Sequence, residues 1–124
     1  MKLTEETKQK IKDEYNNWAN IQYDTKDKKE RQKKGQFFTP PELTIKMIEQ
    51  FKDLNGTVLD PTCGAGGLLA ACIIAGADPK KCYGIELDPE VMEICKRRLL
   101  PLGVKEEHLH IGSALDDSAY EFEC

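Results

Sequence analysis

Ile11, Tyr15 and Trp18 recur at helical spacing in a stretch otherwise dominated by charge, which predicts a first helix with one apolar stripe running to about Tyr23. Thr4 is placed to cap it, and Glu5 and Glu6 fall in the first turn, where the helix dipole favours acids. Trp18 shares its face with the other apolar residues and reads as a packing anchor. The same spacing returns in Ile45, Ile48, Phe51 and Leu54. It predicts a second helix, started by Thr39 as N-cap, Pro40 in the first turn and Glu42 completing a capping box, and running to about Leu54. Asn55-Gly56 turns the chain into the short apolar run Val58-Leu59, which ends at Asp60 and breaks into a glycine-rich loop. Residues 68–74 are helix-prone and are stopped by Gly76-Ala77-Asp78-Pro79. Residues 82–87 read as a buried strand. Residues 89–100 read as a helix burying Val91, Ile94, Cys95 and Leu99, stopped by Pro101 and Gly103, with Asp88 as N-cap. Leu109-His110-Ile111 is a last short strand. Strand and helix alternate from residue 58 onward, the pattern of an α/β fold with a parallel sheet.

The loop between the first strand and its helix is the candidate chemistry. Gly64, Gly66 and Gly67 allow backbone angles closed to other residues and let a ligand approach the main chain without meeting a Cβ. The helix that follows offers free N–H groups and a positive dipole end, features that ordinarily suit an anion. Two observations argue against phosphate. Gly66-Gly67 is followed by Leu68 and Leu69 where a nucleotide-triphosphate loop needs lysine and a hydroxyl, and the dinucleotide fingerprint is incomplete at Leu69. Asp60, at the strand's carboxyl end, would also repel a phosphate. A zwitterionic ligand fits better. Glu86 lies 20 residues after Gly66, the separation at which a strand-end carboxylate in a βαβ unit can accept hydrogen bonds from ribose hydroxyls. A carboxylate in an apolar strand is costly unless paired, which favours a ligand over a bare core position.

Asp60-Pro61-Thr62-Cys63-Gly64-Ala65-Gly66 resembles the first motif of class I S-adenosylmethionine-dependent methyltransferases, in the form used by N6-adenine DNA methyltransferases of restriction-modification systems. Three further stretches resemble that family in its order: Gly35-Gln36-Phe37-Phe38-Thr39-Pro40, Gly84-Ile85-Glu86-Leu87-Asp88-Pro89 and Gly112-Ser113-Ala114-Leu115. The resemblance implies a partial Rossmann-like fold of three layers, with parallel strands in the order 3-2-1, flanking helices and an extra N-terminal helix. It implies S-adenosylmethionine as cofactor, with S-adenosylhomocysteine as product. Its implied site residues are Phe38, Thr39, Asp60, Thr62, Gly64, Gly66, Glu86, Leu87, Ser113 and Ala114. Among these, Phe38 and Thr39 would border the methionine end, Glu86 would hold the ribose and Leu87 would cover the adenine. Ser113 stands where the family usually has Asp or Asn to accept from the adenine amino group, and a hydroxyl accepts that bond more weakly than a carboxylate.

The family's catalytic Asn/Asp/Ser-Pro-Pro-aromatic loop, which holds the target amine and stacks on a flipped base, has no counterpart here. The single Pro-Pro pair, Pro40-Pro41, is followed by Glu42 and lies in the wrong place. No catalytic residue is therefore expected on this chain, and methyl transfer is expected to need a partner or a further segment. The first strand would then be a sheet edge, covered by the N-terminal helix, a second copy of the chain or a complementing polypeptide. Two other readings stand beside this one: a non-catalytic module that binds the cofactor, and an interaction protein that uses the fold without a ligand.

At 124 residues and 14.1 kDa one core is expected, divided into an N-terminal helix with a charged linker (1–34) and a cofactor-binding domain (35–124). A net charge of −4 argues against a large nucleic-acid face, although Lys26, Lys28, Lys29, Arg31, Lys33 and Lys34 cluster among Asp24, Asp27 and Glu30. That segment reads as a solvated linker, with DNA phosphate contact from Lys26 to Lys34 as the alternative. Cys63, Cys72, Cys82, Cys95 and Cys124 show no Cys-x-x-Cys spacing and read as reduced core thiols, not a metal site. His108 and His110 are expected as partly exposed strand residues. No apolar run is long enough to cross a bilayer and the N-terminus lacks an apolar signal region, so no membrane partner and a cytoplasmic location are expected.

Overall fold

The structure, a computed structural model, describes residues 1–21, 38–113 and 115. Four helices, α1 (Glu5–Ile21), α2 (Pro41–Glu49), α3 (Gly67–Ile74) and α4 (Pro89–Leu99), accompany three strands, β1 (Val58–Asp60), β2 (Cys82–Glu86) and β3 (Leu109–Ile111). The strands form one parallel sheet in the order β1-β2-β3, with Val58 opposite Cys82, Asp60 opposite Gly84, and Glu86 opposite Ile111. This is the 3-2-1 order of a partial Rossmann-like fold, β1 standing at one edge among the described residues. Right-handed crossovers that step in one direction along a sheet put their helices on the same face. Accordingly α3 packs on β1, α4 packs on β2 and β3, and the two helices touch. Side chains alternate across the pleat, so Val58, Cys82, Gly84 and Leu109 share the helix-covered face.

The core under those helices is Leu69, Cys72, Met92, Cys95 and Leu99, all fully buried, with Cys82 and Leu109 from the sheet. Each large apolar side chain there contributes roughly 1.5–3 kcal/mol by leaving water. Ile11 of α1 and Ile45 and Ile48 of α2 join the same core, because α1, α2 and α3 pack on one another. Thr4 caps α1 as expected, its hydroxyl accepting from the Thr7 amide at 3.1 Å. Asp88 caps α4 in the same way through the Glu90 amide at 2.9 Å. Tyr23, the expected end of the first helix, lies outside the described residues, as does Cys124. Cys63, Cys72, Cys82 and Cys95 are free and buried.

Three expectations are corrected. Thr39 does not cap α2: Pro40 occupies the cap position in an extended conformation and no side chain bonds there. Residues preceding proline are pushed out of the helical region, and two successive prolines leave fewer free N–H groups to cap. α2 also ends at Glu49, which leaves Phe51 exposed while Leu54 is buried. His108 is buried at the end of a 3-10 turn (Glu106–His108) that precedes the strand, stacked on Tyr83 at 3.9 Å with Nδ1 3.2 Å from the Cys82 carbonyl oxygen. The half-buried His110 is the strand residue. Among the described residues no helix is long and apolar enough to cross a membrane, and no group of three or more His, Cys, Asp or Glu could hold a metal ion.

Candidate functional site

Past Asp60 the chain must leave the sheet, fold over its carboxyl end and start α3, and residues 61–66 do this with two left-handed glycines, Gly64 (φ 52°) and Gly66 (φ 86°). The loop is pinned to the strand beside it: the Cys63 amide donates to the Ile85 carbonyl at 2.8 Å, and the Gly66 amide donates back to the Cys63 carbonyl at 2.8 Å. Close packing requires glycine on β2 as well, because a Cβ at Gly84 would come within 2.9 Å of the Cys63 sulfur. Asp60 closes the turn from its other end, accepting from the Thr62 amide at 3.1 Å.

Asp60 and Glu86 are both buried, at 9% and 8% exposure, and both end their strands at the carboxyl edge of the sheet. Burial raises the Asp60 pKa above its ordinary value, with the Thr62 amide opposing the rise. Among the described residues the Glu86 carboxylate receives one long hydrogen bond, 3.5 Å from the Asp88 amide. Such a group has acceptor capacity left for a ligand. Glu86 lines a cleft of about 330 Å³ together with Pro61, Thr62, Ile85, Leu87, Gly112, Ser113 and Leu115. The cleft floor is thus built from the segments that follow β1, β2 and β3, the position at which open α/β sheets take ligands. Leu87 is 69% exposed and Leu115 is 97% exposed. Ser113 is half-buried, its hydroxyl accepting from the Leu115 amide at 3.2 Å.

The sequence-predicted residues therefore fall into three groups. Thr62, Glu86, Leu87 and Ser113 share the cleft. Asp60 ends β1, and Gly64 and Gly66 lie in the loop that follows it; none of the three lines the cleft. Thr39 lies apart from the cleft, in a crevice with Tyr15, Pro41, Gly67 and Arg98 at the start of α3, and Phe38 beside it in sequence is buried. Ala114 lies outside the described residues, as do Phe37 and the Lys26 to Lys34 segment. A second concavity, of about 400 Å³, is lined by residues 51–54 and 56–59 beside β1. It is lined by none of the predicted site residues.

One pair was missed from sequence. Arg98, 3% exposed near the end of α4, donates through Nε to Glu14 Oε2 at 2.6 Å and pairs through Nη2 with Glu14 Oε1. Its spacing from Val91 and Cys95 placed it on the helix's apolar face, the available hint that it is more than a dipole complement.

The family described as N-6 DNA Methylase matches residues 25–122. The chain belongs to the N-6 DNA methylase family. It is 33% identical over 96 residues to the type II methyltransferase M.VspI of Vibrio sp. (strain 343), a match covering 75% of this chain and 23% of that protein. It is 34% identical over 70 residues to the type II methyltransferase M.CvrRI of Paramecium bursaria Chlorella virus XZ-6E, covering 56% of the chain and 18% of the relative. A ribosomal RNA small subunit methyltransferase H of a Nitratiruptor species is 38% identical over 63 residues, covering 51% and 20%. The chain spans less than a quarter of the length of these relatives. Membership makes it a DNA methyltransferase-like chain.

Proposed function

We propose that this chain forms the S-adenosylmethionine-binding portion of an N6-adenine DNA methyltransferase of restriction-modification type, acting in the cytoplasm. The observation that carries the reading is the pairing of two buried carboxylates, Asp60 and Glu86, at the carboxyl ends of adjacent parallel strands, with a left-handed glycine loop between them. The residues present fit the cofactor: Glu86 receives one long hydrogen bond, which leaves it acceptor capacity, and it lines a cleft together with Thr62, Leu87 and Ser113. Glu86 would accept from the ribose hydroxyls, as carboxylates do at this position of a βαβ unit. Leu87 would offer an apolar surface to the adenine, and Ser113 would accept from its amino group. Asp60 and Thr62, with the backbone around Gly64 and Gly66, would hold the zwitterionic end, bordered by Phe38 and Thr39. Ala114 completes the set by sequence. When bound, S-adenosylmethionine supplies a methyl group activated by its sulfonium, and S-adenosylhomocysteine remains after transfer.

This chain's residues bind and orient, and the acceptor loop that holds the adenine amine comes from a complementing polypeptide, a second copy or a further segment. The edge of β1, where Leu59 is 42% exposed, is the surface on which such an element would pair. Contact with DNA phosphates would come from Lys26 to Lys34. Supplying the chain with labelled S-adenosylmethionine and adenine-containing DNA, alone and with candidate complementing polypeptides, tests the reading. Label on adenine N6 that disappears with Glu86→Ala supports it. Absence of label in every combination, with the cofactor bound, leaves a binding module and rejects transfer.

A further inference from the structure

We propose that Glu14 and Arg98 act as a clamp that positions the glycine loop from behind, making α1 part of the binding machinery instead of an appendage to it. A guanidinium at 3% exposure must find partners, because a buried unpaired charge is strongly unfavourable. Two of its nitrogens are taken by Glu14 of α1, a residue 84 positions away in the chain. The third, Nη1, donates to the Ala65 carbonyl at 3.5 Å and stands 3.5 Å from the place a Cβ on Gly67 would occupy. The guanidinium therefore bridges α1 and the main chain of the loop.

Ala65 lies between Gly64 and Gly66, both left-handed, where the chain has little conformational preference of its own. Its peptide unit is planar, so the Ala65 carbonyl and the Gly66 amide point in opposite directions. Arg98 holds the carbonyl on one side while the Cys63 carbonyl, 2.8 Å away, holds the amide on the other. The plane is restrained from both ends, tightly at the amide and by a longer bond at the carbonyl. Glu14 in turn fixes the guanidinium, since a fork bound by two carboxylate oxygens loses its rotational freedom. Both are positioning residues, acting on the loop through the Ala65 carbonyl. The consequence for affinity rests on the function proposed above, because a loop already fixed in place costs less to order on binding.

The test separates the clamp from that function. In the ligand-free full chain, amide hydrogen exchange is followed at Gly66 and at Gly112, whose amide bonds the Glu86 carbonyl at 2.9 Å, for wild type, Glu14→Gln and Arg98→Lys. Exchange at Gly66 is expected to quicken about two- to tenfold, the scale of one lost ordinary hydrogen bond, while Gly112 keeps its protection. Equal acceleration at both amides, or none at Gly66, would overturn the clamp whether or not any ligand binds. Titration with S-adenosylhomocysteine is the second readout, with weakening of about tenfold expected in both variants. The swap Glu14→Arg with Arg98→Glu is expected to restore melting temperature without restoring Gly66 protection or affinity, because a carboxylate cannot donate to the Ala65 carbonyl. Recovery of Gly66 protection in the swap would overturn the proposal, and failure of wild type to bind would overturn the ligand assignment alone.

Discussion

Gly66→Ala perturbs the loop at the position where conformation and packing coincide. At φ 86° an alanine pays the left-handed penalty of about 1–2 kcal/mol, and its methyl would stand 3.1 Å from the Cys95 sulfur and from two carbons of Leu99. Cys95 and Leu99 are fully buried in α4, so relief must come from a shift of packed side chains, costing about a further 1–3 kcal/mol. The lower end applies, since a few tenths of an ångström suffice. Restricting the unfolded chain returns about 0.4–1 kcal/mol. The net is a destabilisation of about 2 kcal/mol, which for a chain of this size lowers the melting temperature by roughly 6–10 °C. Two other glycines calibrate the terms. Gly76 has φ 120° and open space around it, so Gly76→Ala carries the conformational term alone, about 1 kcal/mol net. Gly56 has neither a positive φ nor a neighbour within 4 Å, and Gly56→Ala is expected to be neutral or stabilising by up to about 1 kcal/mol. Thermal and urea unfolding of the three variants gives the order. A Gly66→Ala chain as stable as Gly56→Ala would refute the reading of the loop as left-handed and seated against α4.

Two further predictions concern titratable groups. Burial raises the Asp60 pKa above 3.8, so the fold favours its neutral form: that stability is present below pH 3.8 and is lost as pH rises through the higher folded value. Asp60→Asn should therefore raise the melting temperature of the ligand-free chain at pH 7, by an amount that fades toward pH 4, while weakening cofactor binding. Thermal melts across pH 4–8 check the sign. Burial pushes the Cys72 thiol up to about 12 and the Cys82 thiol up to about 11, from 9.0, and hydrogen bonding to Cys95 together with burial pushes Cys63 up as well. Their contribution is intact below pH 9 and is lost as pH rises through the folded values, so urea midpoints should fall between pH 9 and 11 and Cys72→Ala with Cys82→Ala should flatten that fall.

Much of this architecture was legible because its signals are local. The change of hydrophobic period at residue 58, the glycines at 64, 66 and 67, and Asp88 before Pro89 each specify a neighbouring piece of backbone, and helical connections between successive strands make the pairing parallel. Thr62, Glu86, Leu87 and Ser113 come to one cleft because each follows or ends a strand of that sheet. What escaped was non-local or cooperative. The Thr39 capping box matched a pattern but overlooked how Pro40 and Pro41 set the backbone around it. His108 sits next to an apolar strand but ends the turn before it, and Tyr83, the ring it stacks on, lies far back in the chain. Glu14 and Arg98 pair across 84 positions of chain, a contact that no local pattern marks.

The carboxyl-end cleft and the glycine loop are proposed to hold one adenosyl ligand together, and calorimetric titration of the purified chain with S-adenosylhomocysteine shows whether they do. One-site heat in the wild-type chain, reduced at least about tenfold in affinity by Glu86→Gln, is the result predicted, since the substitution removes a charged acceptor from the ribose. No heat at saturating ligand, or equal affinity in wild type and Glu86→Gln, would contradict it.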